Sequence, residues 1–495
     1  MGDLNAVCFV QTAHMNVLRR RGLLAEGELI RYCDTIPAHA VGTVLAGLVV
    51  DDLAAVDFVR REEAESEGPG DAFMLRAEEA YADANLSPKD SKSVDRALVH
   101  DFWGATLDGD VGQASASVEL VVRAMCFLLE FCCDGRATAG TLRAVVGILV
   151  FACMFRRCAF ALLSAVFHVV LSKEYAAPGV VFGLPDAARV ELELMLAFLP
   201  LMSTNLRAEP GEWLWATDAS SLSAAAVRAK VSPDASRVIW RHRARRGAAG
   251  GRDTLLSLAE QWARRFEDEA ERGDVTAAEV VRCARELLEA PDEYGHSDSC
   301  EPFSPAPAGA PPADGPALGA VASDLGAAEP GSGPPTWTAA VANALGWEPA
   351  FRYPCSRGEH INNKECRPIR TLVRHLALDP AQHGKRHVNL VDSSVNLGSW
   401  TKGRSRAGLL NGTMRSCVPE QLMADVYLGL AHIRSLFNPA DNPTRGKKVR
   451  GEPVGPPSSA VRALLRGETV PSLFGPGGEA LPDAIEPCAV RADDV

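Results

Sequence analysis

Residues 386–406 read RHVNLVDSSVNLGSWTKGRSR, and residues 430–445 read LAHIRSLFNPADNPTR. In the first stretch an apolar, β-leaning run delivers Asp392 to its end. A helical pattern then opens and leaves through Lys402, Arg404 and Arg406. In the second stretch the strand-like LAHIRSLF runs into a turn that carries Asp441 and then Arg445. Working outward, LWATDAS at 214–220 is another apolar strand that ends on an acid, Asp218. EHINNKECRPIRTLVRHLAL at 359–378 is a helical pattern with Glu365 near its start. Acids at strand ends and at a helix start can converge on one spot across a mixed sheet. Bare like charges there are costly, so such a cluster invites divalent cations. Two metals about 4 Å apart can activate a water and stabilise the leaving oxygen of a phosphodiester. A set of carboxylate oxygens favours two Mg²⁺ or Mn²⁺ ions over zinc. Taken singly, each acid is more often a cap or a solvated turn residue.

The chain has 495 residues, a length that implies about three domains. With 47% apolar and 23% charged residues it is globular, not collagenous, coiled-coil or wholly disordered. A net charge of −12 argues at first against a nucleic-acid binder. The balance is uneven, however: residues 351–450 hold 17 Lys/Arg against 7 Asp/Glu, a basic module that the whole-chain charge conceals. The 13 cysteines include no CxxC pair and read as reduced intracellular thiols. The first 22 residues lack the apolar core of a secretory signal, so a cytoplasmic or nuclear location is expected. The strongly apolar segments 144–155 and 158–171 are separated by Arg156 and Arg157. Neither reaches the roughly 20 residues a membrane span needs, so buried helices are expected and no membrane partner.

Along the chain, a helix is expected over Val10–Leu24, then a buried strand VGTVLAGLVV ending on Asp51 and Asp52. A charged, Ala-rich helical stretch follows to residue 86, and FWGATLDG at 102–109 reads as strand and turn. Residues 118–172 are helical. Residues 211–245 read as three strands, EWLWATDAS, AAAVRAKV and SRVIWRHRAR. Residues 253–290 form an amphipathic helix, with a capping box at Thr276 and Glu279. Residues 291–335 are rich in Pro, Gly, Ala and Ser and read as a disordered linker. The tail after 450 is expected to be loosely ordered.

TDAS, HINNKE, VDSS, KGRS and NPADNPTR, in this order, resemble the ribonuclease H domain that follows reverse transcriptase in retrotransposon polyproteins of the tyrosine-recombinase type and related elements. The resemblance covers about residues 211–245 and 350–446 and is most specific in KGRS and NPADNPTR. It implies a mixed five-stranded sheet with helices and a long insertion at 247–345. It also implies that Asp218, Glu365, Asp392 and Asp441 are the metal-binding catalytic acids and that an RNA–DNA hybrid is the substrate. Ser393 departs from the family, which often has an amide after this Asp.

Upstream, VVDDL resembles the reverse-transcriptase hairpin that presents two metal-binding aspartates, here Asp51 and Asp52. MGDLNAV resembles the palm segment before it, Lys92 the basic residue after the palm helix, and Trp103 with Gly104 the primer-grip hairpin. The implied architecture is an α+β multidomain chain. A partial palm would span 1–115, a helical thumb or connection 116–205, the ribonuclease H-like domain 206–450 and a tail 451–495. The family's third polymerase aspartate and fingers lie before the segment matching Met1–Val7. The resemblance therefore implies a truncated fragment whose primer extension should be undetectable. Lys402, Arg404, Arg406 and Arg445, with Lys92, Trp103 and Gly104, would contact nucleic acid, and phosphate contacts need no sequence readout. His360 and His432 are further candidates for proton transfer. A non-catalytic transposon remnant and a membrane-associated helical protein are the rival readings.

Overall fold

The structure is a computed structural model that describes residues 6–25, 28–30, 41–64, 66–87, 93–175, 179–245, 337–356, 358–470 and 473. Lys92, the amphipathic segment 253–290 with its capping box, the linker 291–335 and most of MGDLNAV lie outside the described residues. The fold is α+β with several separate sheets, and the chain divides into two compact units with a boundary after residue 93.

The first unit holds α1 (Ala6–Arg20), β1 (Val44–Val49), β2 (Asp52–Asp57) and α2 (Pro69–Asp83). Met15 and Leu18 of α1 pack with Phe73, Ala77 and Ala80 of α2 and with Ala46. The first helix stops at Arg20 instead of reaching Leu24. Gly22 turns to φ 69°, and the Leu23 N–H returns to the Leu18 carbonyl at 3.2 Å, the usual way a left-handed glycine closes a helix end. The charged stretch before α2 is also less helical than expected. It has only a 3₁₀ turn at Arg61–Glu63, because Gly68 and Pro69 set the start of the helix. The Asp71 carboxylate then accepts from the Gly68 N–H at 2.6 Å.

The second unit opens with β3 (Val99–Phe102), β4 (Ala105–Asp108) and β5 (Gln113–Ala116), followed by α3 (Val118–Asp134). Then come β6 (Arg136–Thr138), α4 (Ala139–Cys153), α5 (Ser164–Leu171), β7 (Val181–Gly183), α6 (Asp186–Phe198) and β8 (Ser203–Asn205). The hairpin expected to close a domain at residue 115 belongs instead to this unit, since β8 pairs with β5 and completes a four-stranded antiparallel sheet β3–β4–β5–β8. The apolar block folds into buried helices around Leu128, Leu142, Leu149, Leu163 and Leu192. Among the described residues no helix is long and apolar enough to cross a membrane.

The remainder of the unit is one mixed sheet with its covering helices. In chain order these are β9 (Glu209–Ala219), β10 (Ser223–Lys230), α7 (Pro233–Arg241), α8 (Trp337–Asn343), β11 (Glu348–Pro354) and α9 (Ile361–Leu378). They continue with β12 (Lys385–Val391), α10 (Ser394–Lys402), α11 (Gly408–Arg415), α12 (Val418–Met423), β13 (Tyr427–His432), α13 (Asp441–Thr444) and α14 (Ser459–Leu465). The strand order is β11–β10–β9–β12–β13. The pairs β11–β10 and β10–β9 are antiparallel, while β9–β12 and β12–β13 are parallel. Alternation sends Leu214 and Ala216 to one face, against α7, α8 and α14, and Trp215 to the other, against Leu372 and Leu376 of α9.

Three expectations fail here. SRVIWRHRAR is not the third strand, because its first half lies in α7, whose buried residues Ala235, Val238 and Ile239 follow the helical period. Pro233 stands at the helix start, and Ser232 caps it by accepting from the Ala235 N–H at 3.2 Å. The third strand of the sheet comes after the insertion, as β11. The insertion is therefore shorter on its C-terminal side than 345, since α8 already packs Trp337 and Val341 into the sheet core. Beyond 450 the chain forms α14, whose Val461 and Leu464 are buried in the same core.

Candidate active site

Asp218 is the penultimate residue of β9, the central strand, and is only 6% exposed. Asp392 follows the last residue of the neighbouring β12, Glu365 lies in the second turn of α9, and Asp441 opens α13. The last three are half-buried. The parallel pairing of β12 with β9 and β13 aligns their C-terminal ends, so Asp392 and the turn that leads to Asp441 leave the sheet on the same edge.

The motif residues around the acids act as fasteners. The Asn438 amide donates to the Thr217 carbonyl at 3.2 Å, and its own Oδ1 accepts from the Ala440 N–H at 3.1 Å. Ser220 and Ser223 both donate to the Thr444 carbonyl, at 3.0 and 2.7 Å. The Thr444 hydroxyl reaches the Asp218 carboxylate at 3.0 Å. TDASSLS and NPADNPTR are thus two halves of one clasp. Sequence reading found the acids in it but missed Thr444, Ser220 and Ser223 as the residues that hold them.

A second clasp fixes Glu365. Ser393, the departure from the family pattern, is the N-cap of α10 and accepts from the Asn396 N–H at 3.4 Å. The fully buried Asn396 amide donates to the Asn362 carbonyl at 2.9 Å and lies 3.4 Å from the Glu365 carboxylate. Beside them the nearly buried Lys364 ammonium donates to the Ser221 carbonyl at 2.9 Å.

Asp392 bears on both Asp218 and Glu365, and Asp441 bears on Asp218. The carboxyl of Asp218 is pushed up to about 7, first by burial and then by the charges of Asp392 and Asp441, against the opposing hydrogen bond from Thr444. Burial, with Asp392 adding, also raises Glu365, while Ser393, Asn396 and His360 oppose that shift. Asp392 therefore couples to both ends of the cluster. A like-charged, partly dry group of four carboxylates is the donor chemistry that Mg²⁺ or Mn²⁺ prefers. The buried Asn396 Oδ1, with no protein partner, is a further oxygen beside Glu365. The fit is one of chemistry rather than of finished geometry: among the described residues no three His, Cys, Asp or Glu side chains stand close enough together to hold a metal ion.

The basic residues follow α10 and α13 in the chain. Lys402, Arg404 and Arg406 are exposed at the end of α10 and in the turn after it. That turn is braced on the helical block. Arg157 donates through Nε to the Thr401 carbonyl at 3.1 Å, and Arg404 lies over the Phe167 ring at 4.6 Å. The buried Asn411 accepts from the Ser405 N–H at 3.0 Å and donates to the Ala161 carbonyl at 2.9 Å. Gly403 takes φ 79°, and a Cβ there would be driven into the Arg157 carbonyl oxygen. Arg445 is exposed and pairs with Asp441 through Nε at 2.8 Å. His360 caps α9, accepting from the Asn362 N–H at 3.2 Å, and His432 ends β13; both are exposed.

The same helical block is locked to the sheet by Arg156, which is 4% exposed. Its guanidinium donates to Asp425 at 2.5 Å and to the carbonyls of Gln421 at 2.5 Å and Val426 at 3.2 Å, and it lies 4.3 Å above the Tyr427 ring. No sequence signal distinguishes this arginine from its neighbour Arg157.

In the first unit Asp51 and Asp52 are exposed at a hairpin tip, with Val49 paired to Asp52 across a two-residue loop. Val50 sits at φ 56°, a strained position for a β-branched residue. Gln11 holds it, accepting from the Val50 N–H at 2.6 Å and donating to the Leu48 carbonyl at 3.0 Å. His14 Nδ1 donates to the Val50 carbonyl at 3.0 Å, which leaves Nε2 to accept from the Tyr81 hydroxyl at 2.7 Å. In the second unit Trp103 and Gly104 form the tip between β3 and β4 at φ 54° and 76°, a turn with both central residues left-handed. Trp103 is 40% exposed there and meets Phe102 edge-on at 5.6 Å.

No family model matches the chain, and no curated protein matches it. Among solved structures it is similar to a foamy viral protease-reverse transcriptase in complex with an RNA/DNA hybrid, at 10% identity and a TM-score of 0.24. The match covers 82% of this chain and 58% of that one, so the chain spans less than two thirds of that structure's length.

Proposed function

We propose that the second unit is a ribonuclease H-like hydrolase that cuts the RNA strand of an RNA–DNA hybrid in a retroelement-derived protein. The observation that carries this reading is that Asp218 and Asp392 close the neighbouring parallel strands β9 and β12, and that Asp392 raises both Asp218 and Glu365. The four carboxylates would hold two Mg²⁺ or Mn²⁺ ions. Such ions supply water activation and charge stabilisation at the leaving oxygen. The protein's own part is to hold the acids: Thr444 orients Asp218, while Ser393 and Asn396 orient Glu365. Lys402, Arg404 and Arg406 would take backbone phosphates without reading bases. The Asp51–Asp52 hairpin is read as a palm remnant, with Trp103 and Gly104 as the primer-grip tip.

The test is cleavage of a labelled hybrid by the full chain, with and without Mg²⁺, beside single-stranded RNA and duplex DNA. Asp392→Asn should lower cleavage by about 100-fold or more while hybrid binding persists. Equal cleavage by both chains would place the activity elsewhere. A second reading, a non-catalytic nucleic-acid-binding remnant, is favoured by the lack of a ready-made ligand set among the described residues. It predicts hybrid binding without cleavage from a folded wild-type chain.

A further inference from the structure

The turn that carries Lys402, Arg404 and Arg406 is built by two distant parts of the second unit. α10 ends on Gly403 at φ 79°. The Gly403 and Arg404 N–H groups close the helix by returning to the Trp400 and Ser399 carbonyls, both at 3.1 Å. The last carbonyls of a helix have no partner within it. Here the Arg157 guanidinium supplies one: Nε donates to the Thr401 carbonyl at 3.1 Å, and Nη2 lies 3.4 Å from the Lys402 carbonyl. A cation at this position also meets the negative end of the helix dipole. Arg157 opens the 3₁₀ segment Arg157–Leu163 of the helical block, 245 residues before Lys402. The same segment fixes the rest of the turn. The Arg157 carbonyl oxygen occupies the place a Cβ on Gly403 would take. The Ala161 carbonyl accepts from the Asn411 amide, whose Oδ1 holds the Ser405 N–H. The backbone is thus held at Thr401, Lys402, Gly403 and Ser405 while the side chains of Lys402, Arg404 and Arg406 stay exposed.

We propose that Arg157 is a positioning residue for nucleic-acid binding: it sets the turn 402–406 so that Lys402, Arg404 and Arg406 meet backbone phosphates together, and it touches no phosphate itself. This rests on the reading of those three residues as phosphate contacts. Its physical basis is preorganisation. A turn whose backbone is fixed by the fold presents its cations without further ordering, whereas a loosened turn must be ordered on the duplex at a cost in affinity. An arginine that merely stabilised the helical block would leave the affinity of the folded chain unchanged.

The experiment is anisotropy of a labelled RNA–DNA hybrid titrated with the full chain across a salt series, with circular dichroism as the check on folding. The chains are wild type, Arg157→Gln, Arg157→Lys, Asn411→Ala, the triple Gln variant of Lys402, Arg404 and Arg406, and that triple combined with Arg157→Gln. Arg157→Gln should weaken binding about three- to tenfold, the factor for re-ordering one or two side chains. The slope of log K against log salt should stay at the wild-type value, because no phosphate contact is removed. Arg157→Lys, which keeps a cationic donor at the helix end, should recover most of the affinity. Asn411→Ala, which releases the same turn at Ser405, should repeat the loss at unchanged slope. In the triple background Arg157→Gln should have no further effect, since nothing is left for it to position. A slope smaller by about one for Arg157→Gln would make Arg157 a phosphate contact and overturn the positioning role. Full affinity in folded Arg157→Gln, or an equal loss in the triple background, would overturn it as well. Wild-type binding by the triple variant would instead overturn the reading of Lys402, Arg404 and Arg406 as phosphate contacts, and the proposal with it.

Discussion

Replacing Asp218 by Asn tests the electrostatics of the site without any catalytic assay. In the folded chain the Asp218 carboxyl titrates at about 7, whereas in the unfolded chain it returns to an ordinary 3.8. Between those values the native state binds the proton more tightly, so this group takes stability away as pH rises from about 4 to about 7, and the loss persists above. Three pKa units at ~1.4 kcal/mol each give an upper bound of ~4 kcal/mol, and about half of that is a realistic expectation for a relaxing site. Asn keeps the oxygen that accepts from Thr444 but carries no charge. In metal-free buffer Asp218→Asn should therefore be more stable than wild type by about 2 kcal/mol at pH 8 and nearly equal to it at pH 4. Urea unfolding followed by tryptophan fluorescence reads this directly, because Trp215 and Trp347 are buried in the cores on the two faces of the sheet. Saturating Mg²⁺ should raise wild type toward the variant at pH 8 and leave the variant almost unmoved. Parallel pH profiles for the two chains would refute the claim that burial and neighbouring acids destabilise ionised Asp218.

Gly403→Ala should cost about 1–3 kcal/mol, since a Cβ meets the Arg157 carbonyl at a left-handed φ; limited proteolysis should then cut within 402–407. Arg156→Met should lower stability by about 2–3 kcal/mol, mainly by stranding the Gln421 and Val426 carbonyls, measured by the same unfolding. Replacing Lys402, Arg404 and Arg406 together by Gln should weaken hybrid binding and reduce the salt dependence of log K by about 2–3 units, read by anisotropy across a salt series.

Much of the site was legible in the sequence because its parts are local. LWATDAS and RHVNLVDSS each show an apolar run ending on an acid, and in a parallel pair such ends fall on one edge. The acid at the start of α9 was legible from the helical period of EHINNKECRPIRTLVRHLAL, and the basic exit of α10 from KGRS. The sequence put a strand end at Asp51 and Asp52 and a turn within 102–109, but not the left-handed backbone that Val50 and Trp103 adopt.

What tertiary structure alone decided is which neighbours each residue meets. SRVIWRHRAR passes for a strand through its β-leaning Val238, Ile239 and Trp240, yet Ser232 and Pro233 start a helix whose buried side packs on the sheet. The third strand had to be found about a hundred residues later, a long-range pairing that no local pattern encodes. The same holds for Arg156 and Asn411. Arg156 matters because Asp425 and two carbonyls close around it, and Asn411 because Ser405 and Ala161 do. The raised carboxyl of Asp218 follows equally from packing. An aspartate at a strand end has an ordinary affinity for its proton until the fold buries it and brings Asp392 and Asp441 to its side.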